Sequence, residues 1–187
     1  MNSGNRGSVL AFMGSPRRGG NTDVLVDEAL RGAAAAGARV EKVVLVEHDI
    51  QPCRGCAECQ ETGACVIEDD MRGLLVKMEE ADAWILGTPV YWWGPTAQYK
   101  AFLDRWFGAG RVVNFKRHRV GLIIPLGDNN EETAKWTVGM LRTGLGYLGV
   151  EVVATLLAAG VYRLGEAAKK DALMADAFVM GGKLAAG

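Results

Sequence analysis

Short apolar runs alternate along this chain with segments in which apolar residues recur every three or four positions. The runs are typical of buried strands, and the recurring positions are typical of helices that cover a sheet. The pattern predicts strands at residues 8–13, 40–46, 83–87, 120–126 and 150–157. It predicts helices at 22–37, from about 69 or 70 to 78, around 99–106, at 136–148 and at 165–180.

Five β-then-α units indicate the architecture. Strands that are apolar on both faces belong to a parallel sheet covered by helices on either side. Right-handed crossovers make this a doubly wound α/β sheet, and the flavodoxin-like order 2-1-3-4-5 suits five strands. No repeat or linker-like shift in composition interrupts the 187 residues. We therefore predict a single flavodoxin-like domain over residues 1–187, with its core at about 8–180 and a ligand site near the carboxyl ends of the first and third strands.

Composition narrows the classes of function. The chain has 21 basic and 22 acidic residues, a balance that favours neither a nucleic-acid-binding surface nor a polyanionic tail. No segment approaches the roughly 18 to 20 apolar residues of a membrane span, and residues 1–7 are polar, unlike a signal peptide. The four cysteines form one local cluster rather than a spread disulfide scaffold. We expect a cytoplasmic protein with no membrane or nucleic-acid partner.

The loop after the first strand, residues 14–22, reads Gly-Ser-Pro-Arg-Arg-Gly-Gly-Asn-Thr. It opens a helix, where free N–H groups favour an anion. Gly20-Asn21 replaces the Lys-Ser/Thr pair of a Walker A loop, and no G-x-G-x-x-G pattern is present. The loop instead predicts a site for one terminal phosphate, formed by Ser15, Arg17, Gly20, Asn21 and Thr22. Asn21 is also expected to cap the helix. The competing interpretation is a Gly/Pro turn that binds nothing.

The loop after the third strand, at the same rim of the sheet, places three aromatic residues between two prolines. It reads Thr88-Pro89-Val90-Tyr91-Trp92-Trp93-Gly94-Pro95. A planar, redox-active ring needs an apolar surface for its face and backbone groups for its polar edge. Alone, the loop is equally typical of a surface buried under a partner subunit. Together with the first loop, it predicts a flat cofactor with one phosphate, packed against residues 88–94.

These loops make the chain similar to the NADPH-dependent FMN reductase branch of the flavodoxin-like superfamily. The matching residues lie at 14–17, 20–22 and 87–91 and in Lys100-Ala101-Phe102-Leu103-Asp104-Arg105, and the resemblance runs from about residue 8 to 160. It implies FMN, with its phosphate at Ser15, Arg17, Asn21 and Thr22 and its ring against residues 89–93, and it implies homodimers or homotetramers. The flavin would carry the chemistry, so no side chain is assigned as a catalyst.

A cysteine loop with the spacing C-x2-C-x2-C-x5-C follows the second strand; its members are Cys53, Cys56, Cys59 and Cys65. Thiolates at such short steps can wrap one cubane cluster, and ferredoxins use similarly compact runs. The spacing resembles the cysteine motif of archaeal and bacterial iron–sulfur flavoproteins, which implies a [4Fe–4S] cluster on these four residues. A zinc site, a redox pair such as Cys53/Cys56, and cysteines retained without a metal stay open.

Three functions follow from these sites. The first is an iron–sulfur flavoprotein whose FMN and cluster exchange electrons with a carrier protein. The second is an NAD(P)H-dependent FMN or quinone reductase with empty cysteines, in which the flavin accepts hydride. The third is a non-catalytic flavodoxin-like electron shuttle.

The remaining charged positions receive structural interpretations. Asp104 and Arg105 are interpreted as charges on a helix surface or a subunit interface. The basic run at 116–119 is interpreted as a solvated strand start, with a phosphate site for a nicotinamide dinucleotide as the alternative. His48 is not interpreted as a ligand. Residues 127–129 follow the fourth strand and are expected at the functional rim.

Overall fold

Five apolar segments form one parallel sheet in the computed structural model, which describes residues 7–186. The strands are β1 (Ser8–Met13), β2 (Arg39–Val44), β3 (Ala83–Gly87), β4 (Arg119–Pro125) and β5 (Glu151–Ala158). Their order is β2-β1-β3-β4-β5, and each neighbouring pair is parallel. The flavodoxin-like α/β architecture is therefore confirmed. We expect that the polar residues 1–7 are not part of a signal peptide. Most of this segment lies outside the described residues.

Helices cover both faces of the sheet. Within residues 7–186 they are α1 (Asn21–Ala35), α2 (Glu58–Thr62), α3 (Met71–Glu80), α4 (Ala97–Asp104), α5 (Lys135–Leu148) and α6 (Asp171–Ala185). Helices α1 and α6 share one buried core with the sheet, and α3, α4 and α5 share the other. None of these helices has the length and apolarity that crossing a membrane requires.

The sequence prediction differs from the structure where the chain forms 3-10 turns. Strand β2 ends at Val44, because Leu45–Glu47 form such a turn. Helix α6 begins at Asp171 rather than near residue 165, because Glu166–Lys169 form another. The apolar pattern does not predict α2, which is too short to show a helical period.

Helices α1 and α6 approach each other at glycines. A Cβ added to Gly181 would stand 1.7 Å from the carbonyl oxygen of Ala29, and one added to Gly32 would stand 2.0 Å from that of Phe178. Such distances leave no room for a side chain, so both glycines are required for this packing. The contact fixes α1 on the sheet, and with it the helix N-terminus at the carboxyl end of β1.

The prediction of a solvated start for β4 is wrong for one residue of the basic run. Lys116 and Arg117 are exposed, whereas His118 is 1% exposed and its ring stacks on Trp84 with the centroids 4.1 Å apart. Burial lowers the pKa of His118 and the charge of Arg117 adds to this effect, against the opposing influence of Glu79. Neighbouring basic residues give no sign in the sequence that this ring faces the core.

Candidate functional site

The loops after β1 and β3 are joined at the carboxyl edge of the sheet. The N–H of Gly14 donates to the carbonyl of Gly87 at 2.7 Å, and the hydroxyl of Thr96 donates to the carbonyl of Gly14 at 2.5 Å. A Cβ on Gly14 would stand 2.6 Å from the ring of Tyr99, so the residue has to be glycine. These contacts hold the two predicted ligand loops side by side.

The first loop leads the chain into the N-terminus of α1. Gly19 adopts a φ of 66°, in the left-handed region that suits glycine. Its N–H donates to Asp23 at 2.7 Å, and Asp23 also accepts from the ammonium of Lys42 at 2.9 Å. Burial alone would raise the pKa of Asp23, but Lys42 and Gly19 hold that pKa below its ordinary value. The loop is thereby fixed, and the first turn of α1, whose N–H groups have no partner within the helix, lies at the cavity described below.

Asn21 does not cap α1 as expected. The N-cap is Gly20, with no side-chain cap bond, and the Asn21 amide instead bonds to the chain after β5. Its Nδ2 donates to the carbonyls of Val161 and Arg163, each at 3.0 Å, and its Oδ1 accepts from Ala167 at 2.9 Å. Both side-chain N–H bonds are therefore used within the protein, so the side chain of Asn21 has no N–H left for a ligand.

The third loop contains a tight turn with two tryptophans at its tip. Tyr91 and Gly94 exchange backbone hydrogen bonds of 2.8 and 3.0 Å. Trp92 and Trp93 between them have φ values of 50° and 59°, which side chains of this bulk rarely adopt. Trp92 is 91% exposed and Trp93 51%. Strain of this kind is concentrated at ligand sites, where the surrounding structure imposes it.

The two loops enclose a cavity of about 660 Å³, within the usual range for small-molecule sites. Ten of the twelve predicted cofactor residues line it: Ser15, Arg17, Gly20, Asn21, Thr22, Pro89, Val90, Tyr91, Trp92 and Trp93. The other two shape its wall. Thr88 is buried and accepts the N–H of Thr96 at 3.2 Å, and Gly94 closes the tryptophan turn.

Two further segments complete the cavity. One follows β4 and includes Gly127 and Asp128, part of the segment expected at this rim. The other, residues 161–164 after β5, has no counterpart in the sequence analysis and adds Arg163 to the lining. The ring of Tyr162 lies so close to Gly127 that a Cβ there would stand 2.9 Å from it. The sequence signal for the segment 161–164 was its position directly after a strand, because parallel strands end at one edge of a sheet.

The cysteine loop leaves the same edge of the sheet from β2. All four thiols are free; Cys53 and Cys56 are exposed, and Cys59 and Cys65 are partly buried. Cys59 lies against Gly108, where an added Cβ would stand 2.8 Å from its Sγ. Across residues 7–186, no group of three or more Cys, His, Asp or Glu side chains converges on a metal-sized site. The four thiols thus lie on one loop, but they are not arranged as a preformed set of metal ligands.

Arg105 corrects another sequence interpretation. Asp104 is exposed and pairs with Lys100 one turn away, as a surface charge should. The Arg105 side chain is only 3% exposed and forms an ion pair with the fully buried carboxylate of Asp69. The sequence gives no signal that Arg105 is buried, because its neighbour Asp104 is exposed. The 3-10 turn that follows α4 redirects the chain at this point.

A helix N-terminus and an apolar wall on one rim of a flavodoxin-like sheet have the chemistry that a flat ligand with a phosphate requires. Its cavity also suits a molecule of mononucleotide size. The chain belongs to the NADPH-dependent FMN reductase family, whose sequence model matches residues 8–163.

Individual relatives agree with this family. An iron–sulfur flavoprotein of Methanocaldococcus jannaschii is 47% identical over 135 residues, which are 72% of this chain and 69% of that protein. One of Archaeoglobus fulgidus is 40% identical over 116 residues, 62% of this chain and 53% of its own length. Among solved structures, an NAD(P)H:quinone oxidoreductase from Methanothermobacter marburgensis has a TM-score of 0.77 at 18% identity, covering 95% of this chain and 98% of the other. At that identity the structural likeness shows the fold alone.

Proposed function

We propose that this protein is an FMN-dependent oxidoreductase of the iron–sulfur flavoprotein type. The observation that supports the flavin is the cavity itself, which is lined by the loop at the N-terminus of α1 and by an aromatic wall on the same sheet edge. The relatives named as iron–sulfur flavoproteins support a cluster on the cysteine loop. When bound, FMN supplies hydride or electron transfer and a [4Fe–4S] cluster supplies single-electron transfer.

Different residues of the cavity would bind different parts of FMN. The first-turn N–H groups of α1, with the Ser15 hydroxyl and the Arg17 guanidinium, would hold the phosphate. The segment from Pro89 to Trp93 would pack on the ring and exclude water from one face. Arg163 lies in the same cavity and adds a second cation. Binding therefore orients the reactive ring, and no side chain here has to act as a general base.

The cysteine loop fits an iron–sulfur cluster in its chemistry and surroundings. Four free thiols within one loop are the donors that such a cluster requires. Gly108 lacks a side chain where Cys59 approaches, so this thiol can pack directly against the backbone there. The loop is exposed and connects to the core at its ends, so its thiols can be gathered without disturbing the sheet. Cys53, Cys56, Cys59 and Cys65 are the proposed ligands.

A second candidate is an NAD(P)H-dependent FMN or quinone reductase with an empty cysteine loop. The separation of the thiols in residues 7–186 favours it. In that case the flavin would accept hydride directly from the nicotinamide and pass electrons to a quinone or free flavin. The iron–sulfur candidate instead predicts a carrier protein as partner, and both are compatible with a homodimer or homotetramer.

Protein purified anaerobically tests the proposal. We expect bound FMN together with about four irons and four acid-labile sulfides per chain, as a [4Fe–4S] cluster requires. Cys59→Ser should lose iron and sulfide while keeping FMN. Wild-type protein without iron or sulfide, even after reconstitution, contradicts the cluster, and rapid NAD(P)H oxidation with added quinone then supports the second candidate.

A further inference from the structure

One buried ion pair fastens both ends of the cysteine loop. Arg105 and Asp69 lie at the centre, with side chains 3% and 0% exposed. The carboxylate of Asp69 accepts the N–H of Gln51 at 2.9 Å, and Arg105 donates to the carbonyl of Gln51 at 2.9 Å. Gln51 precedes Cys53 and Asp69 follows Cys65, so the pair closes the loop at its base.

The segment that follows Arg105 forms a floor beneath the same loop. The Gln60 side chain donates to the carbonyl of Phe107 at 3.0 Å. Cys59 lies against Gly108, and the Arg111 side chain covers the loop from outside, with its guanidinium 3.4 Å from the carbonyl of Gln60. Cys59 thus approaches this floor at Gly108, and Cys65 lines a small cavity together with Arg105.

Arg105 has an N–H that the ion pair does not use. Its two terminal nitrogens donate to Asp69 and to the Gln51 carbonyl. Its Nε is buried and has no hydrogen-bond partner among the described residues. Arg105 and Cys65 line the same cavity of about 120 Å³.

A buried N–H without an acceptor is unfavourable by about 1–3 kcal/mol. A sulfur that carries negative charge is a far better acceptor than a thiol, so loading the loop with a cluster would supply the missing partner. One-electron reduction adds negative charge to a cluster and its thiolates. A nearby cation and a donated hydrogen bond stabilise that charge, and hydrogen bonds to sulfur are one way in which proteins set cluster potentials.

We infer that Arg105 is a positioning residue of the iron–sulfur site: it closes the cysteine loop through Asp69 and donates its Nε–H to the sulfur of Cys65. This inference rests on the proposed function. Its consequence is that Arg105 favours the reduced state of the cluster, because its charge and hydrogen bond act on the thiolate that gains electron density.

Three variants separate this role from a purely structural one. Arg105→Lys keeps a cation beside Asp69 but removes the Nε–H. The double variant Asp69→Asn/Arg105→Gln removes the guanidinium and its Nε–H beside Cys65 together with the partner charge. It therefore leaves no buried carboxylate unpaired, which would itself be strongly destabilising. Arg111→Gln is the matched control, because it removes an exposed arginine from the same floor.

The measurement is the midpoint potential of the cluster, from a dithionite titration followed by electron paramagnetic resonance, with iron and sulfide assayed in each sample. We expect the double variant to disfavour reduction about tenfold, which is about 59 mV for a one-electron couple. Arg105→Lys should fall between it and the wild type, and Arg111→Gln should match the wild type. Loss of the cluster from both Arg105 variants, with FMN binding and thermal unfolding unchanged and the cluster retained in Arg111→Gln, would also support the positioning role.

Variants that retain the cluster at the wild-type potential overturn this inference. A shift in Arg111→Gln as large as that in the double variant also overturns it, because the effect would then not depend on Arg105. Wild-type protein that holds no iron or sulfide contradicts the proposed function instead, so the two failures are distinguishable.

Discussion

The side-chain oxygen of Asn21 accepts a 2.9 Å hydrogen bond from the backbone N–H of Ala167, which lies 146 residues further along the chain. The nitrogen of the same amide donates to the carbonyls of Val161 and Arg163. One side chain thereby joins the N-terminus of α1 to the segment after β5. The two segments form facing walls of the proposed flavin cavity, so their separation depends on this amide.

Replacing Asn21 should therefore affect both stability and ligand binding. Asn21→Ala leaves backbone groups around residues 161–167 without partners, and we expect the free energy of unfolding to fall by about 1–3 kcal/mol. FMN binding should weaken, because the wall is no longer held. Urea denaturation and fluorescence titration measure the two effects. Asn114→Ala is the control, because Asn114 is exposed and lies near the opposite edge of the sheet. If this variant loses as much stability and FMN affinity as Asn21→Ala, the role of Asn21 is refuted.

Replacing the two tryptophans of the turn should stabilise the protein and weaken FMN binding. Trp92→Asn/Trp93→Gly introduces the residue pair that turns with two positive φ values favour. Relief of backbone strain should stabilise the ligand-free protein by about 1–3 kcal/mol, while loss of the aromatic wall weakens FMN binding. Trp136→Asn removes another exposed indole without changing a turn and should alter neither quantity much. A double variant that binds FMN as tightly as the wild type would contradict the proposed wall.

The proposed phosphate site should distinguish FMN from riboflavin. Arg17→Gln removes a cation from the cavity, and we expect FMN affinity to fall about tenfold, as loss of one charge-assisted bond predicts. Riboflavin affinity should not change, because riboflavin lacks the phosphate. Arg18→Gln is the control, since Arg18 pairs with Glu47 at 2.5 Å rather than lining the cavity. A parallel loss for both flavins would place the phosphate elsewhere.

His118 should make the fold sensitive to mild acid. Its pKa is lowered in the folded protein, chiefly by burial, so below about pH 6.5, the ordinary value for histidine, the unfolded chain binds more protons. Stability is then fully present above that pH and is lost as the pH falls towards the folded-state pKa. Thermal unfolding between pH 7.5 and 5.5 should show this loss, and His118→Phe, which keeps a ring on Trp84, should reduce it. His48→Gln should retain the full dependence.

The sequence predicted those features that depend on local pattern. Apolar runs located the five strands, and β-then-α alternation indicated a parallel sheet, for which the order 2-1-3-4-5 suits five strands. Because parallel strands end at one edge, this order also predicted that the Ser15 and Tyr91 loops lie together.

Features that depend on contacts between residues far apart in the chain could not be predicted from the sequence. The partners of Asn21 lie at the other end of the chain, so local rules assigned it a helix cap. Arg105 follows the exposed Asp104 but turns inward to Asp69, and His118 lies in a basic run but packs on Trp84. In each case tertiary packing determined the environment of a polar side chain whose neighbours in sequence indicated solvent.

The most direct test of the central claim is a titration of the flavin-free protein with FMN, followed by quenching of flavin fluorescence. The account predicts saturable quenching at about one FMN per chain, as a single rim cavity per domain requires, with weaker binding in Arg17→Gln. Fluorescence that remains unquenched when refolded protein is given excess FMN would contradict it.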